Sequence, residues 1–299
     1  MFRNMVRSDD STNEWRTGAA MEKTRSRDVF IDGIRTHYWE AGDGPTLVLL
    51  HAGGFGENAE RSWHRNISTL ATRYRVIAPD WIGFGGTEKI RDFSRGNTRL
   101  VDHLVRFLDL MAINDADFAG LSMGGTLLMK AVAEETHRLP VRRLVLVSCG
   151  GFSPLNDARR ILQEYDGTIE AMREQLRQVI HAPMWESDEF VRPYWEASLE
   201  RGQWEFISAA RLRAPFAPLR GDFGNLDDTP YERIGIPTLL TAGAQDRLRE
   251  PGYADEVGRR IPRCDVIVYD PCGHCPNVER AEEWNADVLS WLERTKVGS

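Results

Sequence analysis

The 299-residue chain predicts an α/β fold: a mostly parallel sheet flanked by helices and interrupted by one helical block. Three observations point there. Apolar runs of strand length alternate with amphipathic helical stretches in both the first and the last part of the chain. Between residues 151 and 226 the alternation stops and only helical patterns remain. And Gly120-Leu121-Ser122-Met123-Gly124 reads as an abrupt strand-to-helix turn with one hydroxyl at its apex. The length is long for one domain and short for two, which suits one domain with an insertion.

Residues 29–31 and 36–39 read as short strands joined by a turn at Asp32-Gly33. Residues 46–51 form a continuous apolar run, as a strand buried on both faces requires, and empty into Ala52-Gly53-Gly54-Phe55-Gly56. A helix over 63–74 and a strand over 74–78 follow, the strand ending at Asp80-Trp81-Ile82-Gly83-Phe84-Gly85. Residues 97–111 make a patterned helix with Leu100, Leu104, Val105 and Leu108 on one face. After the serine turn and its helix, 141–147 is a further buried strand. The insertion carries helical segments at 157–165, 169–181, 187–200 and 204–213. Strands at 238–242 and 266–269 and helices at 253–260 and 281–295 complete the pattern. Such alternation implies right-handed crossovers and a parallel sheet.

Composition narrows the function. A net charge of -7 argues against nucleic acid or an anionic membrane as the main partner. No apolar run reaches the length of a membrane span, and residues 1–27 lack the apolar core of a signal peptide. That stretch is expected to be a flexible or loosely docked arm, with Trp15 as its anchor. Four cysteines do not make a secreted disulfide scaffold, so a cytoplasmic address is expected. The core domain is expected over 28–150 and 227–299, with a cap over 151–226.

A serine hydroxyl needs a base in hydrogen-bond reach, and that base an orienting acid. Catalytic groups in doubly wound folds collect at the carboxyl ends of strands. Asp246 and His274 each stand just past a predicted strand end, and the chain order Ser122, Asp246, His274 fits a nucleophile-elbow triad. Taken alone, Asp246 reads as a turn or helix-capping aspartate and His274 as a surface-loop histidine. Cys272-Gly273-His274-Cys275 also spells a redox C-x-x-C, but after the last strand rather than at a first strand-to-helix junction. No four-ligand zinc spacing is present, and no cofactor or metal is expected. Gly83-Phe84-Gly85-Gly86 lacks the lysine and spacing of a phosphate loop.

With these residues in place, the chain resembles the α/β-hydrolases over 29–293, in His51 to Gly56, Asp80 to Gly85, Gly120 to Gly125, Gly243 to Asp246 and Gly273-His274. The resemblance implies an eight-stranded, mostly parallel sheet with a helical lid. It implies Ser122 as nucleophile, His274 as base then acid, and Asp246 as its orienting partner. The backbone amides of Gly53 and Met123 would form the oxyanion hole, and His51 would structure the loop rather than act as a base. Within that family the chain is most similar to the meta-cleavage-product hydrolases, which cut a carbon–carbon bond in ring-opened aromatic dienoates. The similar stretches include Tyr194-Trp195-Glu196-Ala197, Val278-Glu279 and Glu282-Glu283-Trp284-Asn285.

The chain departs from that subfamily at three positions. Leu121 stands where asparagine usually precedes the nucleophile, Tyr194 where a lid arginine holds the substrate carboxylate, and Cys275 where tryptophan follows the histidine. Arg192, two residues from Tyr194, is a candidate replacement. Gly54, Phe55, Leu121, Arg192, Trp195 and Cys275 are therefore the expected substrate-contacting residues. Three alternatives stay open: an esterase or lactonase acting on an apolar ester, a hydrolase-fold protein that binds a ligand without turnover, and a lyase on the same triad. A homo-oligomer is also open.

Overall fold

The central strands are mostly apolar because they divide two helical layers, and the buried Asp117 of one is paired with Arg142 and Arg143 of its neighbour. In the computed structural model the described residues are 24–134, 139–209, 212, 224 and 226–295. The strands are β1 Arg25–Ile31, β2 Ile34–Ala41, β3 Thr46–Leu50, β4 Arg75–Pro79, β5 Ala116–Leu121, β6 Val141–Val147, β7 Thr238–Gly243 and β8 Cys264–Tyr269. They form one eight-stranded sheet in the order β1-β2-β4-β3-β5-β6-β7-β8. The β1–β2 and β2–β4 pairs are antiparallel, and the other five pairings are parallel. The expected mostly parallel eight-stranded sheet is what forms.

Alternate strand residues feed opposite layers, as a two-residue period requires. Val48, Leu50, Phe118, Leu144 and Leu146 pack beneath α3 Asn97–Leu110, α4 Met123–Ala133 and α9 Tyr253–Arg260. Leu47, Leu49, Ala119, Val145 and Val147 face α1 Ala59–Trp63, α2 Ile67–Leu70, α10 Pro276–Glu279 and α11 Ala281–Arg294. In the second layer the rings of Trp63 and Trp284 meet at 5.8 Å, both fully buried. Truncating either would cost about 3–5 kcal/mol.

Of the expected helix over 63–74 only the short α2 forms, and Trp63 instead ends α1. Asn58 caps α1 through Arg61 N at 2.8 Å, and the chain turns again at Asn66. The Asn66 amide donates to Asn277 O and Asn285 Oδ1, both at 2.9 Å. Those bonds fix the break between α1 and α2 against the C-terminal helices. The arm also ends sooner than expected: Arg25, Ser26 and Arg27 already pair with Glu40, Trp39 and Tyr38 in the β1–β2 ladder. Trp15 lies outside the described residues.

Among the described residues four α-helices interrupt the alternation between β6 and β7: α5 Asp157–Gln163, α6 Ile169–Val179, α7 Asp188–Ser198 and α8 Gln203–Ala209. The helix expected to reach residue 213 is described as far as Ala209. Met172, Leu176, Val191 and Tyr194 of this block pack with Tyr165 and with Phe55 from the loop after β3. The rings of Phe55 and Tyr165 lie 4.6 Å apart. Two glycines let the block come close: a Cβ on Gly56 would sit 2.1 Å from Tyr194 O, and one on Gly83 2.1 Å from the Phe206 ring. The helical block therefore rests on the carboxyl-terminal edge of the sheet.

Candidate active site

Ser122 joins β5 to α4 with φ 51° and ψ -109°, a conformation non-glycine residues avoid. Its surroundings hold it there. Ser122 N donates to Val147 O at 2.8 Å, and Thr126 N donates to Ser122 O at 2.9 Å. The flanking glycines leave the space this turn needs. A Cβ on Gly120 would lie 2.6 Å from Gly125 Cα, and one on Gly124 would lie 2.5 Å from Leu50 O. The hydroxyl thus projects from the sheet edge and remains partly exposed.

Two loops deliver its partners. β7 runs into Asp246 and β8 into His274. His274 Nδ1 lies 2.7 Å from Asp246 Oδ2, and His274 Nε2 lies 2.8 Å from Ser122 Oγ. Burial by itself would raise the Asp246 carboxyl. The charge and hydrogen bond of His274, with the Leu248 amide, outweigh it and hold the group below its ordinary value. Asp246 stays ionised, so Nδ1 carries the proton and Nε2 is left to accept from the serine. The three residues expected from spacing stand together as one hydrogen-bonded chain.

Gly53 is exposed at the loop after β3, and a Cβ there would meet Met123 Sδ at 2.6 Å, so the two residues are in contact range. Neither of their amides has a main-chain acceptor among the described residues. Met123 also opens α4, where unpaired amides and the helix dipole favour negative charge. His51 is committed elsewhere. Its Nδ1 donates to Ala52 O at 2.6 Å, and its Nε2 accepts from Trp81 N at 2.9 Å. Burial lowers its pKa to about 4, so it is a neutral structural residue, as expected. Asp80 anchors the neighbouring loop by accepting from Ala59 N at 2.7 Å and Gly86 N at 2.9 Å.

The expected substrate contacts fare unequally. Gly54 remains partly open beside Gly53. Phe55 is 5% exposed, its ring packed on Tyr165. Trp195 is part of the helical block, its indole N–H donating to Gly167 O at 2.9 Å. Leu121 is 1% exposed and packs into the layer of α1 and α11, so it presents no surface to a ligand. Cys275 is buried in that same layer. Arg192 is a correction: it lies on the outer surface of α7, half exposed, 4.0 Å from Asp188. Two residues along a helix turn the side chain about 200° away, so it cannot follow Tyr194 inward. The C-x-x-C cysteines are free thiols. Burial pushes Cys272 and Cys275 well above the ordinary range, which deprives them of thiolate character.

Two acids escaped the sequence reading. Glu279 accepts from Gly273 N, His181 N and Ala182 N, each at 2.8 Å. With His274 N donating to Val179 O at 2.8 Å, it ties the end of α6 to the loop that carries His274. Glu57 accepts from Ser62 Oγ at 2.7 Å, and Ser62 Oγ accepts from Ala52 N at 3.2 Å. Burial raises the Glu57 pKa to about 7. Glu279 falls in one of the family-like stretches and Glu57 in none, but the role of each shows only in these tertiary contacts. A separate cleft at Val105, Leu108, Ile113, Leu139 and Pro140 lies by the amino-terminal ends of β5 and β6, away from Ser122.

Known proteins resemble this chain in sequence and fold. The model of the alpha/beta hydrolase family matches residues 47–287. The 2-hydroxymuconate semialdehyde hydrolase of Pseudomonas sp. strain CF600 is 30% identical over 89% of this chain and 93% of its own. The 2-hydroxy-6-oxo-2,4-heptadienoate hydrolase of Pseudomonas putida F1 is 30% identical over 85% of this chain and 91% of its own. A solved meta-cleavage product hydrolase from Pseudomonas fluorescens IP01 superposes with a TM-score of 0.79 at 27% identity, covering 90% of this chain and 98% of that one. Fold, family match and relatives agree: this chain belongs to the alpha/beta hydrolase family and is a hydrolase.

Proposed function

We propose that the protein is a serine hydrolase that cleaves a carbon–carbon bond next to a carbonyl in a small, ring-opened aromatic-derived compound. The observation that carries the reading is the 2.8 Å approach of His274 Nε2 to Ser122 Oγ, with Asp246 2.7 Å behind the imidazole. Relatives named as hydrolases of such compounds, at 30% identity along most of the chain, supply the substrate class.

In this reading the Ser122 oxygen attacks the carbonyl carbon while His274 takes its proton, and Asp246 stabilises the imidazolium that forms. The oxyanion is received by the amides of Gly53 and Met123, each worth about 3–4 kcal/mol in the transition state. The carbon–carbon bond then breaks, its electron pair goes to the leaving carbon, and His274 returns the proton there. That carbon must itself neighbour an unsaturated carbonyl system to carry the charge. Water, deprotonated by His274, releases the acyl group from Ser122. The helical block acts as a lid that excludes bulk water from these steps.

One observation favours a second reading, hydrolysis of an ester or lactone. Leu121 and Cys275 are buried, and Arg192 faces outward, so the grip expected of Arg192 on a substrate carboxylate is not made, while an acid, Glu57, is the charged group acting most strongly on Tyr194 and Cys275. A panel of ring-opened dienoates, aryl esters and lactones tests both. Carbon–carbon cleavage predicts a kcat/KM at least about tenfold higher for a dienoate. A preference of that size for an ester or lactone would establish the second reading.

A further inference from the structure

Glu57 carries a partly buried carboxyl beside the candidate oxyanion loop, and only one of its oxygens is engaged. Its N–H donates to Gly54 O at 3.3 Å, closing a tight turn in that loop. Its Oε2 accepts from Ser62, whose hydroxyl in turn holds the amide of Ala52, next to Gly53. Oε1 has no partner among the described residues and keeps some contact with solvent. That oxygen therefore opens onto solvent-accessible space beside the loop rather than onto packed atoms.

The walls of that space can be named. Gly54 lies against the Glu57 side chain, since a Cβ there would come within 3.7 Å of Glu57 Cγ. Of the charged groups around the Tyr194 phenol and the Cys275 thiol, Glu57 acts on both most strongly. Tyr194 comes from α7, and Cys275 follows His274. The remaining groups facing Glu57 are Ser62 and Arg61 of α1, both of which favour its ionised form, and the Arg61 guanidinium also lies 2.9 Å from Glu60. Farther out, Arg65 acts on Tyr194, and Glu279, Asp246 and Cys272 act on Cys275. Glu57 is therefore the charged group that acts most strongly on two of the three positions where the chain departs from the meta-cleavage-product hydrolases, and it brings a proton instead of a fixed positive charge.

We infer that Glu57 determines substrate specificity: its carboxyl receives the polar end of the acyl chain, donating a hydrogen bond when protonated and repelling a substrate carboxylate when ionised. This deepens the proposed hydrolase reading and rests on it. The ligand class is an acyl compound carrying a hydrogen-bond acceptor beyond the scissile carbonyl, a carboxylate being accepted only in mildly acidic conditions. Burial of Glu57, which moves its titration to about pH 7, places the change within the working range of an esterase assay.

The test uses two nitrophenyl esters of equal chain length, one ending in a carboxylate and one in a methyl group. The ratio of their kcat/KM values is followed from pH 5.5 to 8.5 in the wild type, in Glu57→Gln and in Ser62→Ala. In the wild type the carboxylate-to-neutral ratio should fall about tenfold between pH 6 and 8, while in Glu57→Gln it should not vary with pH. Because the Ser62 hydroxyl favours ionised Glu57, Ser62→Ala should move the midpoint of the fall to higher pH. A ratio independent of pH in the wild type, or an identical fall in Glu57→Gln, overturns the inference. If Glu57→Gln does not fold, an unmoved midpoint in Ser62→Ala overturns it equally. An enzyme that cleaves these esters but no ring-opened ketone refutes the carbon–carbon reading and leaves this test intact.

Discussion

His274 Nε2 lies 2.8 Å from Ser122 Oγ although 152 residues separate them in the chain. That contact exists because β5 and β8 run parallel in one sheet and so end on the same edge. If it carries the chemistry, Ser122→Ala and His274→Ala should each lower kcat by about a thousandfold or more with little change in folding. Asp246→Asn should also lose activity, mainly by spoiling the imidazole tautomer. Steady-state kinetics on an aryl ester, with circular dichroism as the folding control, checks all three. Activity within tenfold of wild type in Ser122→Ala would remove the serine from the mechanism.

The strain at Ser122 has its own signature. Glycine accepts φ 51° freely, whereas alanine does not. Ser122→Gly should therefore be more stable than Ser122→Ala by about 1–2 kcal/mol. Urea unfolding of the two inactive variants measures the difference, and equal midpoints would mean that the turn stores no strain.

Glycines around the turn should tolerate substitution very differently. A Cβ on Gly124 meets the carbonyls of Leu50 and His51 at 2.5 and 2.6 Å, main-chain atoms that cannot step aside without moving β3. Gly124→Ala should cost about 2–4 kcal/mol and most of the activity. Gly235, with nothing within 4 Å of the added carbon and no positive φ, should accept alanine with a change under about 1 kcal/mol. Thermal melts of the pair decide it; similar losses would show that close approach is not what Gly124 serves.

Much of this was legible from residues alone, for a physical reason. The inner strands are buried on both faces, so they carry apolar runs, and the elbow has to be glycine-rich to fit beside β3. Ser122, Asp246 and His274 could be placed because each follows such a run. Glu57 and Glu279 could not, because their meaning lies in contacts with segments remote in the chain, such as the α6 end that Glu279 holds. Arg192 misled because proximity in sequence to Tyr194 was not proximity on the helix surface. The break between α1 and α2 was hidden for the same reason as Glu279: Asn66 turns the chain by bonding to Asn277 and Asn285, more than two hundred residues away.

Acid should destabilise the fold through its buried histidines. Burial lowers His103 from the ordinary 6.5 to about 4, and its Nε2 lies 3.0 Å from Thr36 Oγ1. The unfolded chain takes up that proton near pH 6.5 while the folded chain resists until about 4. The stability His103 confers is thus fully present above 6.5 and is lost as the pH falls toward 4. His103→Gln should flatten the dependence of unfolding free energy on pH between 6.5 and 5 by up to about 1.4 kcal/mol per pH unit. An unchanged slope in denaturation curves would show that His103 titrates alike in both states.

The central claim is that Ser122 is an activated nucleophile. Its most direct test is intact-protein and peptide mass spectrometry after exposure to a fluorophosphonate. The account predicts one adduct per chain, located on the peptide containing Ser122, formed slowly in His274→Ala and absent from Ser122→Ala. No adduct on the wild type, or an adduct that persists in Ser122→Ala, would contradict it.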